Sequence, residues 1–279
     1  MDNIDKALAF EPPPHSEVHK TLRLREWYFQ PVYRGMENID LKRPTLFVGN
    51  HTRFGLLDAP LLCREIYLQS GVFIRSLADR SHLEIPLWRD YLAGNGAVLG
   101  SREMCRALMD AGQSIMVFPG GAREVVKGKG LDYTLLWRER LGFVRMAMEH
   151  GYSITPFSSV GAEEALSVVA DSETIRNSLF GKLMKATGLE ERTRGGEVLM
   201  PLPRGIGLSI LPRPERFYFS IGKPIETRKY QGQQDDKALL QRLQTKTAKS
   251  INNMIKEDML NRARAKHDES LIRRLLQRS

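Results

Sequence analysis

His51 follows directly on an apolar run, Thr45-Leu46-Phe47-Val48, that stops at Gly49-Asn50. A neutral imidazole at a strand end can take a proton from a hydroxyl, and open α/β sheets gather ligands at such ends. Asp58 lies seven positions further on, a carboxylate of the kind that holds an imidazole in one tautomer and stabilises its positive charge. The second chemically suggestive segment is Phe118-Pro119-Gly120-Gly121-Ala122-Arg123-Glu124, again after an apolar run. Gly120 and Gly121 let backbone N–H groups approach a ligand closely, and Arg123 offers a forked cation for phosphate. Each feature has an ordinary alternative: a loop histidine bonded to a carbonyl, and a Pro-Gly-Gly turn that binds nothing. No Gly-Lys-Ser/Thr follows the glycines, so the segment is not a P-loop. No Gly-x-Ser-x-Gly elbow occurs, and Cys63 and Cys105 fall in expected helices among apolar neighbours, which argues against a Ser or Cys nucleophile.

The elements that must position these residues alternate along the chain. Apolar runs at 32–33, 45–48, 72–75, 97–99, 114–118, 153–157 and 217–221 read as strands; 58–67, 102–111 and 141–150 read as helices, the last closed by Gly151. This rhythm predicts an α/β fold, a layered mixed but largely parallel sheet flanked by helices. Residues 1–14, punctuated by Pro12-Pro13-Pro14, read as extended or disordered, 15–29 as one lead-in helix, and the stretch before residue 97 as a Pro/Gly-rich loop. Residues 171–204 break the pattern with Leu179, Phe180, Leu183, Met184 and Leu189 among Arg176, Lys182 and Lys185, and read as an inserted excursion. Leu240, Leu243, Ile251, Met254, Ile255 and Met259 recur at helical spacing, predicting a C-terminal basic amphipathic helix. The expected organisation is an N-terminal extension with its lead-in helix (1–30), a main domain (31–228) and a basic helical tail (229–279).

Composition narrows the class. The 279 residues are 42% hydrophobic and 27% charged, and carry neither a Gly repeat nor a sustained heptad, which excludes disordered, collagen-like and coiled-coil classes. Two cysteines make no disulfide framework and point to a reducing, cytosolic-facing location. No run of eighteen uncharged apolar residues exists, and the acidic, proline-bearing start does not read as a secretory signal. The net charge of +9 is uneven: from Asp236 onward eleven Lys/Arg face five Asp/Glu, leaving a tail that should meet an anionic surface. A nucleic-acid-binding reading is motivated by the isoelectric point near 9.6, but no recognition motif or basic-aromatic interleaving accompanies it, so nucleic acid is not expected as a partner.

Together these residues resemble the glycerolipid acyltransferase superfamily, which includes 1-acylglycerol-3-phosphate acyltransferases and type-2 diacylglycerol acyltransferases. Four blocks carry the resemblance in order: Gly49-Asn50-His51 with Asp58; Gly96 to Arg102; Phe118 to Arg123; and Ile154-Thr155-Pro156. Two departures stand out. The His-to-Asp gap is two residues longer than the common pattern. In a continuous helix residues seven apart lie about 10 Å apart along the axis, so Phe54-Gly55 must loop out if Asp58 is to reach His51, and Glu124 is an alternative partner. Gly120 replaces the Glu of phosphatidate-forming members, and Ala122 their Thr, which looks more like the diacylglycerol and wax-ester branch.

The resemblance implies an O-acyltransferase moving a fatty acyl group from acyl-CoA or acyl-carrier protein to a hydroxyl of a glycerolipid or lysophospholipid. His51 would be the general base, Asp58 its partner, backbone N–H groups near Gly120 and Gly121 an oxyanion site, and Arg102 and Arg123 the phosphate ligands. It implies no metal and no cofactor beyond the thioester co-substrate, and a peripheral place on the cytoplasmic face of a membrane, held by the basic tail. A non-catalytic lipid-binding relative with the same fold is the alternative.

Overall fold

The structure, a computed structural model, describes residues 3–53, 55–80, 86–128, 130–170 and 202–279. Nine strands are described: β1 (Val32–Arg34), β2 (Thr45–Gly49), β3 (Ile74–Ala78), β4 (Val98–Leu99), β5 (Ser114–Val117), β6 (Ser153–Val160), β7 (Ser167–Ala170), β8 (Leu202–Arg204) and β9 (Tyr218–Ile221). Seven of them form one sheet in the order β1-β9-β6-β2-β5-β3-β4, parallel throughout except that β6 and β9 run antiparallel. The expected α/β sheet is therefore present, with β2 at its centre.

β2 is buried along its whole length because both faces are covered. Leu46 and Val48 point into one apolar cluster and Phe47 into the other, which is why the strand reads as a continuous apolar run rather than an alternating one. Helices α1 (Ile4–Leu8), α2 (His15–Val18), α3 (Arg23–Phe29), α4 (Gly55–Ser70), α5 (Pro86–Gly94), α6 (Arg102–Asp110), α7 (Ala122–Val125), α8 (Gly142–His150), α9 (Ala162–Ala165), α10 (Lys237–Ala265) and α11 (Leu271–Arg278) complete the described structure. Ser101 caps α6 by accepting the Met104 amide, and Gly151 closes α8 at φ +66°.

Three local expectations are corrected. Residues 3–14 are not extended throughout: α1 docks with Ala7 buried, and Arg75, itself buried, donates Nη1 to the Ala7 carbonyl at 2.8 Å. The lead-in helix is two helices, because Leu22 takes a left-handed φ of +58° and breaks it. The Pro/Gly-rich stretch contains α5, which starts at Pro86, a residue suited to a first helical position. Of the excursion, residues 171–201 lie outside the described residues, including Leu179, Phe180, Leu183 and Met184. Its two ends, β7 and β8, pair antiparallel.

The tail also behaves differently from expectation. α10 packs its apolar face into the molecule: Leu240 and Ile251 are wholly buried, and Leu243 and Ile255 nearly so. Its Asp258 is buried and accepts bonds from Ser158 on β6 and Ser220 on β9. The face expected to lie on a membrane is thus core, because β6 and β9 need a cover on that side. Ile251→Ala should cost about 3 kcal/mol in urea unfolding, as for other buried large-to-small changes. Removal of residues 237–279 should leave a protein without a cooperative unfolding transition.

Candidate active site

β2 and β5 are adjacent and parallel, so the segments after them emerge side by side at one edge of the sheet. His51 lies after the first and Pro119-Gly120-Gly121 after the second. Asn50 fixes the end of β2: its buried side chain donates to the Ser159 carbonyl and accepts the Ser159 amide, both at 2.9 Å, continuing the β2–β6 ladder with an amide group. The chain then turns at 51–53 and α4 begins at Gly55, so Asp58 sits in its first turn. Pro60, inside α4, cannot donate to the Leu56 carbonyl, and Arg25 from α3 donates to that carbonyl instead at 2.8 Å.

The His51 ring stacks obliquely on Phe118, centroids 4.2 Å apart. Its Nδ1 is 2.9 Å from the Thr52 carbonyl oxygen. A carbonyl only accepts, so this bond requires the proton on Nδ1 and puts the neutral ring's lone pair on Nε2. Gly55 permits the arrangement: a Cβ there would lie 2.6 Å from His51 Cε1. Asp58 is buried and accepts from Thr52 Oγ1 at 3.0–3.1 Å, from Ser159 Oγ, and from the Ala59 amide at 2.9 Å. It is therefore tied to the histidine loop through Thr52, whose side chain donates to the carboxylate while its carbonyl receives the imidazole.

Glu124 is also buried. Its Oε2 accepts the His51 backbone amide and its Oε1 the Leu136 amide, each at 2.8 Å. It holds the histidine loop by its main chain. Gly120 makes room for it, since a Cβ at 120 would stand 2.2 Å from the Glu124 carboxyl carbon. Gly120, where the resemblance leads one to expect a glutamate, thus leaves the space that the Glu124 side chain fills. Gly121 adopts φ +55°, ψ −143°, open to glycine alone, and its amide already donates to the Phe118 carbonyl at 2.9 Å. That amide is committed to the turn rather than to an oxyanion.

Several residues that hold this site were invisible in the sequence. Arg140 donates to the Pro119 and Gly120 carbonyls at 3.0 and 3.2 Å, pinning the glycine turn. Lys127, buried, donates to the His51 carbonyl at 3.2 Å and pairs with buried Glu163. Arg53, also buried, pairs with Glu163 at 3.0 Å and reaches the Lys127 and Gly128 carbonyls. The only sequence signal for such a clamp is a basic residue shortly after each motif, Arg53 and Lys127. Arg123 and Arg102 are exposed. Arg102 follows β4, three strands along from β2, about 14 Å at ordinary strand spacing, and at the same edge of the sheet.

Burial raises the Asp58 carboxyl above its ordinary range, only partly offset by the bonds from Ser159, Thr52 and Ala59. Burial raises Glu124 likewise, against the His51 and Leu136 amides and Lys127.

Residues 30–160 match the family whose sequence model is described as Acyltransferase. That segment contains all four motif blocks. Phytyl ester synthase 2, chloroplastic, of Arabidopsis thaliana is 29% identical over 243 residues, covering 80% of this chain and 33% of that protein. Phytyl ester synthase 1, chloroplastic, of the same organism is 30% identical over 213 residues, 71% of this chain and 30% of that protein. Diacylglycerol O-acyltransferase 2A of Umbelopsis ramanniana is 29% identical over 164 residues, 56% and 44% of the two chains. The chain thus spans about a third of the phytyl ester synthases and under half of the fungal enzyme. The crystal structure of the 1-acyl-sn-glycerophosphate (LPA) acyltransferase PlsC from Thermotoga maritima aligns over 91% of this chain and 87% of that one, at 14% identity and a TM-score of 0.48.

A raised carboxyl favours the fold while protonated and loses that contribution as pH rises through its folded-state value. Asp58→Asn does not titrate. Its stability relative to the parent protein should therefore improve between about pH 4 and about pH 7, measured by denaturant unfolding at both. An unchanged difference would show that Asp58 is not held above its ordinary range.

Proposed function

We propose that the protein transfers a fatty acyl group from an acyl thioester, acyl-CoA or acyl-carrier protein, to the hydroxyl of a lipid acceptor. The observation that carries this reading is the His51 ring, its Nδ1 committed to a carbonyl and its ring stacked on Phe118 between two loops of an acyltransferase-family segment. A glycerolipid acceptor is the class the family suggests. Relatives named for phytyl esters and for diacylglycerol, together with 2-acylglycerol O-acyltransferase 1 of Mus musculus, 28% identical over 153 residues, favour an uncharged acceptor lipid.

His51 Nε2 takes the acceptor's hydroxyl proton as its oxygen bonds to the thioester carbonyl carbon. The tetrahedral species collapses with rupture of the carbon–sulfur bond. The imidazolium returns its proton to the departing thiolate, so ester and free thiol are the products. Thr52 holds the imidazole through its carbonyl, and Asp58 holds Thr52. Arg123 beside the glycine turn and Arg102 further along the same edge, both exposed, meet the donor phosphates in this reading.

No helix among the described residues is long and apolar enough to cross a membrane. The lipid is met instead at a membrane surface, and the cytoplasmic face is the side the basic charge suits.

Thiol release from palmitoyl-CoA, with a panel of lysophospholipid, monoacylglycerol, diacylglycerol and long-chain alcohol acceptors in micelles, tests the reading. His51→Ala should lower acceptor-dependent release by about 10² to 10⁴; full activity in that variant would refute the mechanism. Gly55→Ala should lower kcat by roughly tenfold or more with little change in melting temperature, because the methyl displaces the imidazole while suiting the helix start. Arg102→Ala and Arg123→Ala should each raise the thioester KM about tenfold and leave kcat within about twofold.

A further inference from the structure

α11 is built the wrong way round for a helix that only covers its own domain. Its apolar residues Leu271, Ile272 and Leu275 are 69%, 72% and 67% exposed, whereas Gln277 is buried and the Arg273 side chain is 12% exposed. The polar side faces the protein and the apolar side faces out. The inward side is anchored: Gln277 donates to the Pro214 carbonyl at 3.1 Å, and the Ser279 carbonyl accepts from Arg213 at 3.0 Å. The orientation is thus held by specific bonds.

The apolar face does not stand alone. The segment that anchors α11 also carries Leu208, 93% exposed, and Ile210, 75% exposed. Tyr28 of α3 donates to the Pro212 carbonyl of the same segment, and α3 exposes Leu24 and Trp27 at 75% and 71%. α3 in turn grips the first turn of α4 through Arg25 and the Leu56 carbonyl. These contacts make one corner from α11 to the helix that carries Asp58, at the sheet edge where His51 emerges.

The corner is basic. Arg23 on α3 and Arg278 on α11 are exposed. Among the described residues, Glu215 is engaged by Arg262 and Glu269 by Arg273. Arg216 and Arg273 repel one another, as do Arg204 and Arg213. An anionic surface relieves that repulsion, and exposed aliphatic side chains beside a Trp suit the boundary between headgroups and acyl chains.

We propose that this corner, with the outward face of α11 at its centre, is the surface by which the protein sits on an anionic membrane, turning the His51 edge of the sheet toward the lipid. The choice of a lipid surface over a second copy of the chain rests on the acyl-transfer reading and on the exposed arginines, Arg23 and Arg278, which would repel their own image across a symmetric interface.

Co-sedimentation of the 279-residue chain with phosphatidylcholine vesicles, with and without phosphatidylserine, tests this without any turnover. Binding should require phosphatidylserine and weaken with added salt. I272E/L275E, and independently L208E on the neighbouring segment, should each weaken it by about tenfold or more with melting temperature unchanged. Binding at the parent level in both variants would overturn the proposal. So would variants that abolish self-association in sedimentation velocity while leaving vesicle binding intact, which would assign the face to a second copy. A parent protein that bound in this pattern yet released no thiol with any acceptor would uphold the surface and remove the acyl-transfer reading.

Discussion

A carboxylate taken out of water must be met by donors or give up its charge, and the fold around Asp58 is arranged to supply them. Thr52 comes from the loop after β2, Ser159 from β6, and the Ala59 amide from the first turn of α4. Three elements meet at this acid, and the histidine loop has little freedom once they have met. Asn50 closes the same loop from the other side by pairing with the backbone of Ser159. Ser159 therefore serves both motif residues, by its main chain to Asn50 and its hydroxyl to Asp58. The loop that carries His51 is thus fastened to the centre of a largely parallel sheet rather than left to its own turn chemistry.

Two more buried acids extend the scheme. Glu124 spans from the loop after β5 to the amides of His51 and Leu136. Glu163, just beyond β6, gathers Arg53 and Lys127, and Lys127 returns to the His51 carbonyl. His51 is consequently held by its amide, its carbonyl and its ring. Burying these acids is costly: desolvation is the leading influence on all three and raises each above its ordinary range. Energy that a structural ion pair would rarely return is spent here on fixing one conformation of a loop.

The strands were the most legible part of the sequence. β2, β5 and β9 fall within a residue of the apolar runs that announce them, because strands covered on both faces cannot alternate. The motif residues were legible as types, but Gly55 belongs to α4 rather than to a loop, and Asp58 meets the histidine loop through Thr52. What could not be read were the side chains whose types are common everywhere. Thr52, Ser159 and Arg140 carry no local signal; their roles exist only because β2, β5 and β6 bring distant segments together. Glu124 looked like a substitute partner for the imidazole, and only the void at Gly120 shows that it holds the loop's main chain instead. α1 escaped notice since five residues make a helix only when something outside receives it, here Arg75 and the surface of α6.

The tail shows how periodicity alone can mislead about purpose. The stripe of Leu240, Leu243, Ile251 and Ile255 looked like a face for a membrane, yet β6 and β9 require a cover and α10 provides it. A helical stripe states that one side will be buried and is silent on what buries it. α11 presents the converse case. Its own stripe is left outside because Gln277 on the other side donates to the Pro214 carbonyl, a bond that turning the helix over would break. The exposed stripe is therefore imposed by the inner contacts. At the edge of the sheet where β2, β5 and β6 end, β9 begins, so the segment that anchors α11 leads into the sheet on the same side as the one from which the chain runs on to His51.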